Sequence, residues 1–159
     1  MSTPAADPAG TPADRTGTPA GPLPAEAFAA LMREVMAGAD RFGHRQHVEL
    51  AWRAARAYGT AAAVDLVGTG IDRTATAAGA PQKFHVTMTR AWVELVGLRA
   101  AADGEADAAD GFDPFAVRHP ELFDAALLHR HYRRETLAGD TARTSWVEPD
   151  LAPLSGPTD

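Results

Sequence analysis

The chain reads as an all-α protein: an irregular single-domain helical bundle of about five to six helices with an extended carboxy-terminal segment. Three observations carry this reading. Apolar residues recur at three- and four-residue steps over most of 25–146, glycines punctuate those runs as helix stops do, and no window alternates like a strand between turn residues. Hydrophobic residues make up 45% of the 159, enough for one real core but not for two.

Residues 1–24 are mostly Pro, Ala, Thr and Gly, with Leu23 the one large apolar group after Met1. Such a segment buries too little surface to offset its ordering entropy, so a disordered tail is expected there. It lacks the basic and apolar regions of a secretory signal. The helical domain is expected over 25–154 and a short disordered end over 155–159.

Within the domain, Phe28, Leu31, Met32 and Val35 make one face of a helix over Ala25–Ala37, closed by Gly38. A second runs from His44 to Tyr58 and stops at Gly59, with Thr60 the expected cap of a third. That third helix carries Val64, Val67, Ile71, Ala75 and Ala78 on one face. Gly68 and Gly70 interrupt it, because glycine is a poor helix former. Pro81 opens the longest helix, expected to reach about Ala102.

The net charge of −6 is local in origin. Asp103, Glu105, Asp107, Asp110 and Asp113 share one Ala/Gly-rich stretch, and without them 16 acidic residues face 15 basic ones. An acidic flexible loop over 103–113 is therefore expected. Asp113–Pro114 then starts a short helix through Val117, and Leu122, Phe123, Ala126, Leu127 and Tyr132 continue the helical period. A last turn spans roughly Asp140 to Trp146. Pro149 and Pro153 forbid a helix beyond it, so Val147–Leu154 is expected to lie extended across the domain.

Composition narrows the function classes. With no cysteine, thiolate catalysis, disulfides and cysteine-ligated metal are excluded, which suits a cytoplasmic protein. The absence of a basic stripe argues against nucleic acid, and no apolar run reaches membrane-spanning length. The phosphate-loop, nucleophile-elbow and H-E-x-x-H motifs are missing.

What remains is a set of histidines. His44 and His47 stand one helical turn apart on a shared face bordered by Phe42, Val48, Ala51, Trp52 and Ala55. His85 lies above Thr89 and Trp92. His131 follows Leu127 and Leu128 on the apolar side, with Glu135 one turn later. Taken singly, each reads most simply as a satisfied core residue. Together, four histidines from three helices beside apolar stripes suggest one polar site. His119 and His129 read as surface or capping residues.

Neutral imidazoles without thiolates suit copper, non-heme iron, zinc or nickel. The leading expectation is thus a small metal-dependent enzyme, oxidase- or oxygenase-like, acting on a small molecule. His44, His47, His85 and His131 are its candidate ligands, and copper or iron is favoured over zinc. His131 doubles as an acid–base group and Glu135 as its carboxylate partner. Trp52, Thr89, Trp92 and Tyr132 are expected to line the pocket. Zinc-assisted hydrolysis or elimination fits the same residues. So does a metal-free pocket using His131 or His85 as general base, or a non-catalytic helical binding module. The sequence leaves the oligomeric state open, a homodimer included.

The order of motifs also resembles a family of short uncharacterised bacterial proteins. The resemblance runs through Phe42-Gly-His44-Arg-Gln-His47-Val48 with Ala51–Trp52, then Lys83-Phe84-His85 with Thr87, Thr89 and Trp92. It continues through His131–Tyr132, Glu135, Leu137, Ala142–Arg143 and Val147-Glu-Pro-Asp-Leu-Ala-Pro-Leu154, covering roughly 40–154. It implies no reaction, but it singles out His44, His47, His85 and His131. Gly43 stands where Thr or Ser is usual, and Val86 where an acid is common.

Overall fold

A computed structural model describes residues 25–105 and 110–155. The expected tail over 1–24 and the end beyond 155 lie outside the described residues. Among the described residues every regular element is helical and there is no strand. No helix is long and apolar enough to cross a membrane.

Helix α1 (Ala25–Met36) lays Leu31 and Val35 into the core. Gly38, in the left-handed region at φ 80°, turns the chain beyond it. Helix α2 (His44–Tyr58) starts at Gly43, which offers no side-chain cap; the Gln46 side chain instead accepts from the Gly43 N–H at 2.9 Å. Its buried face is Val48, Ala51, Trp52 and Ala54, with Leu50. Gly59 ends α2 and begins α3 (Thr60–Ala77) at φ 85°.

Thr60 makes no cap; it is the first helical residue of α3, and its side chain sits where a Cβ on Gly97 would go. Gly68 and Gly70 do not break α3. A Cβ on Gly70 would collide with the Phe28 ring, so that glycine lets α1 lie close against α3.

The helix expected to be longest begins five residues later than expected and, at 18 residues, only equals α3. Pro81–Lys83 forms a separate 3-10 turn, Phe84 and His85 are extended, and α4 runs Val86–Asp103. Pro81 favours a first turn wherever it stands, but the cap of α4 is His85, whose Nδ1 accepts from the Met88 N–H at 3.1 Å. Helices α2, α3 and α4 pack pairwise on one another around Val48, Ala63, Leu66, Val67, Ala91, Leu95 and Val96.

The acidic stretch is only partly a loop. Asp103 closes α4 and Phe112 opens α5 (Phe112–Arg118). Asp103 is gripped by Arg118 and Asp113 by Arg45, each at 2.9 Å. The period from Leu122 to Tyr132 also differs from expectation. It is carried by two 3-10 segments, Pro120–Phe123 and Ala125–Arg130, divided by extended Asp124, whose carboxylate accepts from the Ala126 N–H. Leu122 from the first segment and Leu127 and Leu128 from the second are buried without an α-helix.

Short helices α6 (Arg134–Ala138) and α7 (Asp140–Thr144) lead into the non-helical carboxy-terminal strap. The strap is tied down residue by residue. The Thr87 hydroxyl, on α4, donates to the Ser145 carbonyl and accepts from the Val147 N–H. The Tyr132 hydroxyl donates to the Val147 carbonyl at 2.8 Å, and the Leu151 N–H donates to the His131 carbonyl at 2.9 Å. Asp150 accepts from the Arg133 N–H and the Thr136 hydroxyl; those two bonds hold its carboxyl below the usual range, the Thr136 bond foremost.

Candidate functional site

The first turns of α2 and α4 come together with the middle of α3 around one cavity of about 420 Å3. His44 and His47 enter from α2 and His85 from the break before α4. Lys83, Thr89 and Trp92 also line it, and Ala51, Val67, Ile71, Met88 and Val93 give apolar walls. Two aromatic contacts seat the paired imidazoles. The Trp92 ring meets His44 edge-on with centroids 4.6 Å apart, and Phe42 lies 4.3 Å from His47.

Each imidazole has one nitrogen committed to backbone. His44 donates from Nε2 to the Leu122 carbonyl at 2.8 Å, and His47 from Nδ1 to the Gly43 carbonyl at 3.1 Å. Because a carbonyl only accepts, these bonds choose the tautomers: His44 keeps a lone pair on Nδ1 and His47 on Nε2. No buried side-chain polar atom lacks a partner among the described residues, so these two lone pairs open onto accessible space. Burial pushes His47 below its usual 6.5, and the neighbouring His44 pushes the same way; the Gly43 bond opposes both without reversing the sign.

His85 is different. It is 8% exposed, Nδ1 accepts from the Met88 N–H, and Nε2 donates to the Leu137 carbonyl at 2.8 Å. Both nitrogens are spent on backbone. It borders the cavity but offers no lone pair to it.

His131 does not line this cavity. Its Nδ1 donates to the Ala152 carbonyl at 3.0 Å while its own carbonyl accepts from Leu151, so it clasps the strap from both ends. Glu135 is exposed on α6. Trp52 points instead to the core beside Phe112 and Phe115, at 5.6 and 5.8 Å. Tyr132 is wholly buried under the strap, edge-on to Trp146. Burial first, then Glu148 and Glu94, push its phenol above the usual range. The structure thus gathers His44, His47, His85, Thr89 and Trp92, and leaves His131, Glu135, Trp52 and Tyr132 elsewhere. Among the described residues no three His, Asp or Glu side chains group so that they could hold a metal ion.

Two features escaped the sequence reading. Among the described residues Lys83 contributes the only Lys, Arg, Asp or Glu side chain to the cavity lining. Its place beside His85 in the motif was the available signal. His119, read as a surface or capping residue, packs on Phe115 and lies 2.9 Å from both Asp103 carboxylate oxygens, joining the ends of α4 and α5. No signal in sequence pointed to that pairing, because its partners are 16 residues apart across a loop.

Comparison of the chain with protein-family models, curated proteins and solved structures finds no match.

Proposed function

We propose that the cavity between α2, α3 and α4 binds a small organic molecule, and that His47 Nε2 is the group that takes a hydrogen bond or a proton from it. The observation that carries this reading is the pinned pair of imidazoles. Each ring is oriented by a backbone carbonyl, each keeps one lone pair, and both residues line a cavity of ligand size, about 300–1,000 Å3 being usual. A neutral His47 at pH 7 is the form a general base needs, and burial favours that form. His85 and His131 act here by holding backbone rather than by touching the ligand. The sequence resemblance that groups them with His44 and His47 then reflects one framework around the cavity.

The test is titration with indole, an apolar N–H donor of suitable size, followed by NMR of the imidazole and indole side chains. Shifts confined to His44, His47 and Trp92, lost in His47→Phe, support the reading. Saturating shifts elsewhere with these three unmoved defeat it.

A transition metal is the second reading, favoured by one feature. Imidazoles pinned through one nitrogen to a carbonyl are the form in which metal-ligating histidines are held. His44 Nδ1 and His47 Nε2 would then be its two protein nitrogens, with His85 and His131 outside the set. Copper, iron and zinc all accept imidazole, and the incoming molecule would complete the coordination. One equivalent of copper(II) or zinc bound by the wild type and by His131→Ala, but not by His47→Ala, supports this reading. No saturable uptake by the wild type removes it.

A further inference from the structure

Resting on the small-molecule reading above, we infer that the ligand is an apolar, ring-bearing acid: an aromatic body with a carboxylate and one hydrogen-bond donor. The cavity's electrostatics select the sign. Among the described residues Lys83 is its one formally charged lining residue, and no Asp or Glu lines it. Lys83 has no carboxylate within ion-pair distance among the described residues, whereas Arg45, Arg53, Arg90, Arg99 and Arg118 each do. Two helix amino-terminal turns abut the same space, Gly43–His47 of α2 and His85–Thr89 of α4. Their dipoles add positive potential to the space that Lys83 lines. An ammonium ligand would meet three positive features and no carboxylate, with the imidazole lone pairs as its only counterweight. A carboxylate meets all three favourably.

The remaining walls fix the rest of the class. Phe42 packs on His47 and Trp92 on His44, and Val67, Ile71 and Met88 add apolar lining, so the body of the ligand is apolar and suits a planar ring. The lone pairs on His44 Nδ1 and His47 Nε2 are acceptors, so the ligand carries an O–H or N–H between ring and acid or on the ring itself. A ligand without such a donor leaves both imidazoles desolvated and unpaired.

Three probes of matched shape test this: indole-3-acetate, indole-3-acetamide and tryptamine, titrated into wild type and Lys83→Glu with calorimetry and the same side-chain NMR signals. Expected is an affinity order of acid, then amide, then amine. Lys83→Glu should weaken the acid about two- to fivefold, as suits a rim charge open to solvent, and leave the amide unchanged. A backbone amide spectrum confirms that the exposed substitution leaves the fold intact. Tryptamine binding as tightly as the acid, or an acid affinity indifferent to Lys83→Glu, overturns the acid inference while the cavity reading stands. Failure of all three probes and of indole itself at His47 and Trp92 removes both.

Discussion

His85→Ala separates a ligand from a structural cap. In the structure the ring closes two backbone groups at once, accepting from the Met88 N–H and donating to the Leu137 carbonyl, inside a site 8% exposed. Loss of an N-cap costs about 1 kcal/mol. A buried carbonyl left without its donor adds about 1–3 kcal/mol. Some of the Leu137 carbonyl's loss is relieved by water entering from the cavity, so the sum is about 2–3 kcal/mol. Equilibrium urea unfolding at pH 7.5 measures it, with His85→Asn as companion. Asparagine caps well but is too short to reach α6, so it should recover about 1 kcal/mol and no more. Uptake of indole or of zinc per folded molecule should be unchanged in both. A His85→Ala protein as stable as wild type that has lost ligand or metal would refute the capping argument and return His85 to the site.

Thr87→Val keeps the shape of a fully buried side chain while removing the hydroxyl that bonds both Ser145 and Val147. It should cost about 1–3 kcal/mol in urea unfolding, with proteolysis at the strap rising in parallel. Gly70→Ala should destabilise by about 1–3 kcal/mol although alanine is the better helix former, because its Cβ meets the Phe28 ring. Repeating it in a Phe28→Ala background should abolish most of the penalty. His47 supplies a pH signature. Its folded value lies below the usual 6.5 because burial disfavours the cation, so the unfolded chain binds the proton more readily. Its contribution to stability is therefore complete above about pH 6.5 and lost as pH falls toward the depressed value. His47→Gln should flatten the stability profile between pH 7.5 and 5, and an unchanged slope would count against a buried neutral imidazole.

Much of this molecule is legible in the order of its residues. The apolar steps of α1, α2 and α3 and the turns at Gly38, Gly59 and Gly79 follow from local rules, because helix faces and positive-φ stops are set by neighbours within one or two turns. The strap follows as well, since Pro149 and Pro153, four residues apart, cannot both lie inside one helix. The same locality placed His44 and His47 on one face, whereas the Trp92 contact to His44 came only with packing. Where local rules competed, sequence misled. Pro81 suggested the start of α4, yet the cap that wins is His85, a residue with little intrinsic preference for that role, because Leu137 from 52 residues away holds its other nitrogen.

Convergence is the part that only tertiary structure decided. Four histidines beside apolar stripes look equivalent in sequence, since an apolar stripe says that a face is buried and not what buries it. Packing sent His131 to the strap, spent His85 on two backbone groups, and left His44 and His47 each with a lone pair while both line one cavity. A hydrogen bond to a distant carbonyl selects which imidazole nitrogen keeps its lone pair, and the carbonyls of Leu122, Leu137 and Ala152 reach their histidines only once the chain has folded.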